Sequence, residues 1–146
     1  MFLFISNFIR LFAYISFYLG FLMIKATYNS TDQYLDVIYS GEITADEIIE
    51  HGRSLVRNSS LPLHLNILTD ARYADYSFGN YDLKRIRNAL QENLKAFKSL
   101  RNAFVHNKPK ETAYSQIVQS SDQNHSYQHK VFSTRERALQ WLLNQR

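Results

Sequence analysis

The chain has no cysteine among its 146 residues, so disulfides, thiolate zinc sites and thiol nucleophiles are all excluded. That absence suits a reducing compartment, and a cytoplasmic location is the expectation. Glycine is almost as scarce, at four residues in all. No GxGxxG, Walker or GxSxG pattern occurs, and a glycine-rich phosphate cradle has no residues to build it. Charge of one sign is also lacking. Lys and Arg number 17 against 13 Asp and Glu, a net +4 too mild to imply nucleic acid by itself. There is no internal repeat and no low-complexity tract. His125 and His129 are four apart, a spacing that brings metal ligands together on a helix. Here they straddle a loop and a strand, and no carboxylate stands at a ligand interval. No metal and no cofactor is expected.

What remains is an ordinary globular composition, 45% hydrophobic and 21% charged, on a chain long enough for one core and too short for two. Its one asymmetry is at the start. "MFLFISNFIRLFAYISFYLGFLMIK" holds six of the ten phenylalanines and carries only Arg10 before Lys25. A membrane span needs ~20 apolar residues, which this stretch reaches only by burying Asn7 and Arg10. Three readings of residues 1–23 stand: an upstream extension of the start, with Met23 as a natural initiator; a membrane anchor; or a helix packed on the domain. A cleaved signal lacks its small-x-small site. The domain is taken as residues 24–146.

Within it, "IKATYN" and "QYLDVIYSG" read as a hairpin joined by "STD". In the second, Leu35, Val37 and Tyr39 alternate onto the buried face, and Gly41 is expected to end the strand. "EITADEIIEHGRSLVRN" is a helix opened by a Thr44/Glu47 capping box. Its inward face is Ile48, Ile49, Leu55 and Val56, with Gly52 allowing close approach to the sheet. "LHLNILT" is a strand that turns Leu63, Leu65 and Ile67 inward, followed by a loop over residues 70–80. The longest helix, "YDLKRIRNALQENLKAFKSL", repeats Leu83, Ile86, Leu90, Leu94, Phe97 and Leu100 at helical spacing. "NAFVHN" is a strand, and "KPKETAYSQIVQ" a helix with Pro109 in its first turn. After the polar loop "SDQNHS", "YQHKVFS" is the last strand. "STRERALQWLLNQ" is the last helix, with Ser133 and Glu136 as its capping box. The order β-β-α-β-α-β-α-β-α implies an α/β domain: a mixed, mostly parallel five-stranded sheet with four helices.

Three phrases in that order, "YLDVIYSGEITADEI", "ILTDAR" and "HKVFSTRERALQWL", resemble the SpoIIAA-like family of the STAS-type fold. The resemblance spans roughly residues 24–145 and is carried by turn, cap and core residues. It implies a non-catalytic regulatory or protein-interaction module. The founding members are anti-sigma-factor antagonists, switched by phosphorylation of a serine where the third strand meets the next helix. Their stretch there is Asp-Ser-Ser-Gly-like. This chain has "DYSFG", in which Tyr76 separates Asp75 from Ser77 and Phe78 separates Ser77 from Gly79.

The candidate binding surface is therefore the loop: Asp70, Arg72, Tyr73, Asp75, Tyr76, Ser77, Phe78 and Tyr81. Its expected partner is another protein. As alternatives, the aromatics line a pocket for a small apolar ligand or lipid, with Arg72 open to an anionic one, or Asp70 and Asp75 act as an acid–base pair. That last reading requires both carboxylates in one enclosed site. Lys84, Arg87, Gln91, Lys95 and Lys98 fall within an arc of about 80° on a helical wheel. They form a basic face for solvent, an acidic protein or an anionic membrane. Nucleic acid is not expected, because no exposed aromatics interleave with it. Membrane contact is expected only if residues 1–23 are an anchor.

Overall fold

The computed structural model describes residues 23–120 and 126–144. Five strands and four helices follow in the order β1 (Ile24–Asn29), β2 (Tyr34–Ile43), α1 (Ala45–Arg57), β3 (His64–Tyr76), α2 (Asn80–Leu94), β4 (Ser99–Val105), α3 (Pro109–Ser120), β5 (Tyr127–Phe132) and α4 (Arg135–Leu143). The sheet order is β1-β2-β3-β4-β5, antiparallel between β1 and β2 and parallel thereafter. Each parallel step moves the chain one place in the same direction. Crossovers of constant hand then fall on one face of the sheet, which places α1, α2 and α3 together and leaves α4 for the other side. Two cores result. The larger includes Leu35, Val37, Tyr39, Leu65, Ile67, Tyr76 and Leu83. The smaller joins Tyr34, Leu68, Ala103 and Val105 to Ala138 and Leu142 of α4.

Thr44 and Glu47 form the capping box of α1, with Glu47 N–H donating to Thr44 Oγ1 at 3.2 Å and Thr44 N–H to Glu47 Oε2 at 2.8 Å. Val56 is 40% exposed and stands off the inward face. Gly52 faces α2 rather than the sheet: a Cβ there would lie 2.5 Å from Asn93 Nδ2. At the last helix the cap is Thr134, not Ser133; its Oγ1 accepts the Arg137 N–H at 3.4 Å. Arg101 of β4 donates to the Trp141 and Leu142 carbonyls at the other end of α4 and stacks on the Trp141 ring at 4.2 Å.

Several boundaries differ from the sequence expectation. β2 does not stop at Gly41, which takes a left-handed φ of 72° while still pairing with Ala74, and the strand runs on to Ile43. α2 stops at Leu94, and the chain tightens through i→i−3 bonds from Lys95, Ala96 and Phe97 before Lys98 and Ser99 donate to Leu63 O. Leu100 is accordingly an inward residue of β4, and its helical spacing from Leu94 and Phe97 is coincidental. Leu63, 51% exposed, precedes β3, while Leu68 is buried on the α4 face.

The largest difference is the expected loop. Residues 70–76 continue β3, with one extra residue inserted against β2 between the Ile38–Asp70 and Ser40–Tyr73 pairs. Such a bulge bends the strand and re-aims its side chains. β4 ends opposite Asp70, so beyond that point β3 has a strand partner on one side only. Side chains close the other side. Asp70 accepts the Arg72 N–H at 3.3 Å, Lys108 Nζ donates to Ala74 O at 2.9 Å, and Lys110 Nζ donates to Tyr76 O at 2.6 Å. The buried Glu111 carboxylate accepts the Tyr76 N–H at 3.2 Å. Glu111→Ala leaves that amide unpaired and should cost about 1–3 kcal/mol in urea denaturation, with faster hydrogen exchange at Tyr76. Glu111→Gln retains an acceptor and should lose clearly less.

Candidate functional site

The residues expected to form one surface divide among three settings. Asp70 is buried in an ionic cluster: Arg72 Nη2 lies 2.7 Å from it, and Arg135 at the start of α4 lies 3.4 Å from Asp70 and 2.8 Å from Asp36. Burial alone would raise its pKa, but hydrogen bonds from Arg72 and Arg135 outweigh that and hold it below the usual carboxylate range. Arg72 is thus committed to Asp70 and lies over the Tyr73 ring at 5.6 Å. Asp75 is exposed and paired with Lys108. Five positions apart on β3, one carboxylate is buried and the other exposed, each in its own ion pair, so the two do not form one enclosed acid–base pair.

The aromatics separate by exposure. Tyr73 and Tyr81 are 65% and 80% exposed, whereas Tyr76 and Phe78 are buried. Tyr76 stacks on Phe78 at 4.8 Å, and Phe78 on Tyr114 of α3 at 5.8 Å. Ser77 donates to Ile43 O through both its amide and its hydroxyl, at 3.0 and 3.2 Å. It stands two residues before the α2 N-cap, which is Gly79. The basic face is broken by the early end of α2. Lys84 and Arg87 lie on the helix and Lys95 caps it beside Glu92, while Lys98 belongs to the following turn.

Beneath Tyr76 and Phe78 the larger core is not filled. A cavity of about 130 Å³ lies between the sheet and α1–α3. Its wall includes Tyr39, Ile67 and Phe104 from the strands, Ile48 and Leu55 from α1, and Leu83, Ile86 and Leu90 from α2. Among the described residues, no Asp, Glu, Lys or Arg contributes to the wall. Its polar members include three hydrogen-bonded pairs of neutral groups: Thr69 with Asn102 at 3.0 Å, Tyr127 with His129 at 2.8 Å, and Ser115 with His106 behind it at 2.7 Å. Asn93 and His51, the latter edge-on to Tyr39 at 6.2 Å, also line it. Sequence reasoning placed Tyr76 and Phe78 near such a space. It did not place His51 of α1, His106 after β4, Ser115 of α3 or His129 of β5 at this space, because their only signal was an inward position on their elements.

Ser115 and His106 have a nucleophile–base separation. However, His106 Nδ1 is buried with no partner to fix a tautomer, and Ser115 sits mid-helix, where backbone amides are spent on the helix. No group of three or more metal-ligating side chains occurs among the described residues. His125 and residues 1–22 lie outside them. No described helix is long and apolar enough to cross a membrane.

No protein-family model matches the chain, and no curated protein matches it. Among solved structures it is similar to an uncharacterised DUF3478-family protein from Shewanella loihica PV-4 with a SpoIIAA-like fold. That likeness has a TM-score of 0.55 at 16% identity, covering 82% of this chain and 91% of the other. The chain has a SpoIIAA-like α/β fold.

Burial lowers the pKa of His51 and His106 to about 4 and of His129 to about 3. For His106, the nearby Glu111 and Asp70 offset part of the fall; for His129, His106 adds to it. The unfolded chain therefore binds protons that the folded one refuses. Stability is full above about pH 6.5 and is lost as pH falls toward 4, by up to about 1.4 kcal/mol per pH unit for each imidazole. Urea titrations at pH 7, 6 and 5 should show this slope well before Asp70 is protonated. A flat profile over that range would contradict buried neutral histidines.

Proposed function

We propose that the domain is a non-catalytic binding module that takes a small, neutral, mainly apolar molecule into the cavity between the sheet and α1–α3. The observation that carries this reading is the cavity itself, about 130 Å³ with a wall to which, among the described residues, histidine and tyrosine are the sole ionisable contributors. Protein interiors are normally close-packed. An apolar void of about 150 Å³ is known to stay dry and take up benzene. The buried Tyr76–Phe78–Tyr114 stack makes the aromatics of the β3 end a roof for this space. The separation of Asp70 from Asp75 weighs against chemistry by that pair.

Toluene tests the reading. At a free concentration of about 100 Kd it should stabilise the domain by about 2.7 kcal/mol, seen as a rise in Tm. Ala89→Leu projects a larger side chain from the cavity wall and should abolish the rise while leaving the circular dichroism spectrum intact. No rise in the wild-type domain sinks the proposal.

A protein partner is the second reading, favoured by the exposed Tyr73 and Tyr81 at the end of β3 and the start of α2. Co-purification from the native host tests it. The Tyr73→Ser/Tyr81→Ser protein should lose a genuine partner yet keep its response to toluene; equal recovery with both proteins counts against the surface.

A further inference from the structure

Among the described residues, His129 is the one member of the cavity wall with a fully buried side-chain polar atom that lacks a hydrogen-bond partner. It lies on β5 with Tyr127, two residues away on the same face, and its ring is held against Phe104 at 4.6 Å. Nδ1 is engaged by the Tyr127 hydroxyl at 2.8 Å. Nε2 is buried and has no hydrogen-bond partner, in a residue only 8% exposed. A buried donor or acceptor left unpaired is costly, and buried polar side-chain atoms in folded proteins are mostly paired. Thr69 and Asn102 on the same wall satisfy each other, so they make no comparable demand.

We infer that His129 Nε2 is the polar anchor of the cavity, and that the ligand is a neutral, roughly benzene-sized molecule bearing one hydroxyl-type group, phenolic rather than pure hydrocarbon or ionised. This rests on the cavity being a ligand site, as proposed above. Three features set the chemistry. Size limits the ligand to about one ring. An ionised group would find no countercharge in the wall and would bear the full cost of desolvation. A neutral imidazole has one N–H and one lone pair, and which nitrogen carries the proton depends on whether the Tyr127 hydroxyl donates to Nδ1 or accepts from it. A ligand hydroxyl both donates and accepts, so it completes either tautomer.

The isosteric pair toluene and phenol separates the anchor from the cavity. Calorimetry on the wild-type domain and His129→Phe gives a double cycle in which the intrinsic difference in hydration between the two probes cancels. The phenol-to-toluene affinity ratio should fall about tenfold in His129→Phe, the worth of one buried hydrogen bond, with toluene affinity changed less than about threefold. Phenol, but not toluene, should also shift the 15N resonances of the His129 ring in the wild-type protein, a measurement that needs no variant. If toluene binds while phenol leaves those resonances unmoved, or if the ratio survives the substitution, the anchor is overturned and the cavity reading stands. If neither probe binds wild-type protein, both fall together.

Discussion

The far half of β3 has a strand on one side only, and the rest of the molecule is arranged around satisfying it. β4 stops opposite Asp70, yet β3 continues to Tyr76. An open strand edge in a packed region is untenable, since buried backbone amides and carbonyls need partners. Lys108 just before α3 and Lys110 and Glu111 in its first turn supply them. This bonding fixes where α3 lies. It thereby sets Tyr114 and Ser115 over the sheet, seats Phe78 between Tyr76 and Tyr114, and defines the span that the core side chains must fill. On the opposite face, Arg135 ties the same strand to α4 and β2 through Asp70 and Asp36.

That arrangement explains what could and could not be read from sequence. Local signals carried well: the Thr44/Glu47 box, the alternation of Leu35, Val37 and Tyr39, and the strand–helix order all report contacts between near neighbours. Residues 70–76 failed for the opposite reason. Asp, Arg, Tyr and Asp in succession have the composition of a turn. Their partners, Lys108, Glu111 and Arg135, stand more than thirty residues away, where no window of periodicity reaches. The end of α2 failed because Leu94, Phe97 and Leu100 keep a three-residue rhythm across a helix, a turn and a strand. The cavity was legible only as a possibility around Tyr76 and Phe78, since a void is a property of packing and no residue encodes it.

A space of about 130 Å³ left in the core forfeits contacts that close packing would supply, a cost to a small and marginally stable domain. Small changes on the wall, such as a larger residue at Ala89, offer routes to remove it. The same wall carries a second cost, the unpaired Nε2 of His129. Among the described residues His106 Nδ1 and Arg87 Nε are also buried without a partner, but His129 is the one of the three residues that lines the cavity. A ligand that fills the volume and completes the imidazole relieves both at once.

The roof above the cavity also fixes how residues 75–79 are used. In "DYSFG" Tyr76 and Phe78 are the two residues buried in the stack, while Asp75 and Ser77 face outward. An aromatic roof needs inward side chains two apart, and it leaves the residues beside them facing out. Ser77 bonds to Ile43 O and stands away from the α2 cap, which falls to Gly79. The stretch thus works on two sides: Asp75 pairs with Lys108 and Ser77 with Ile43 O outside, while Tyr76 and Phe78 close the cavity inside.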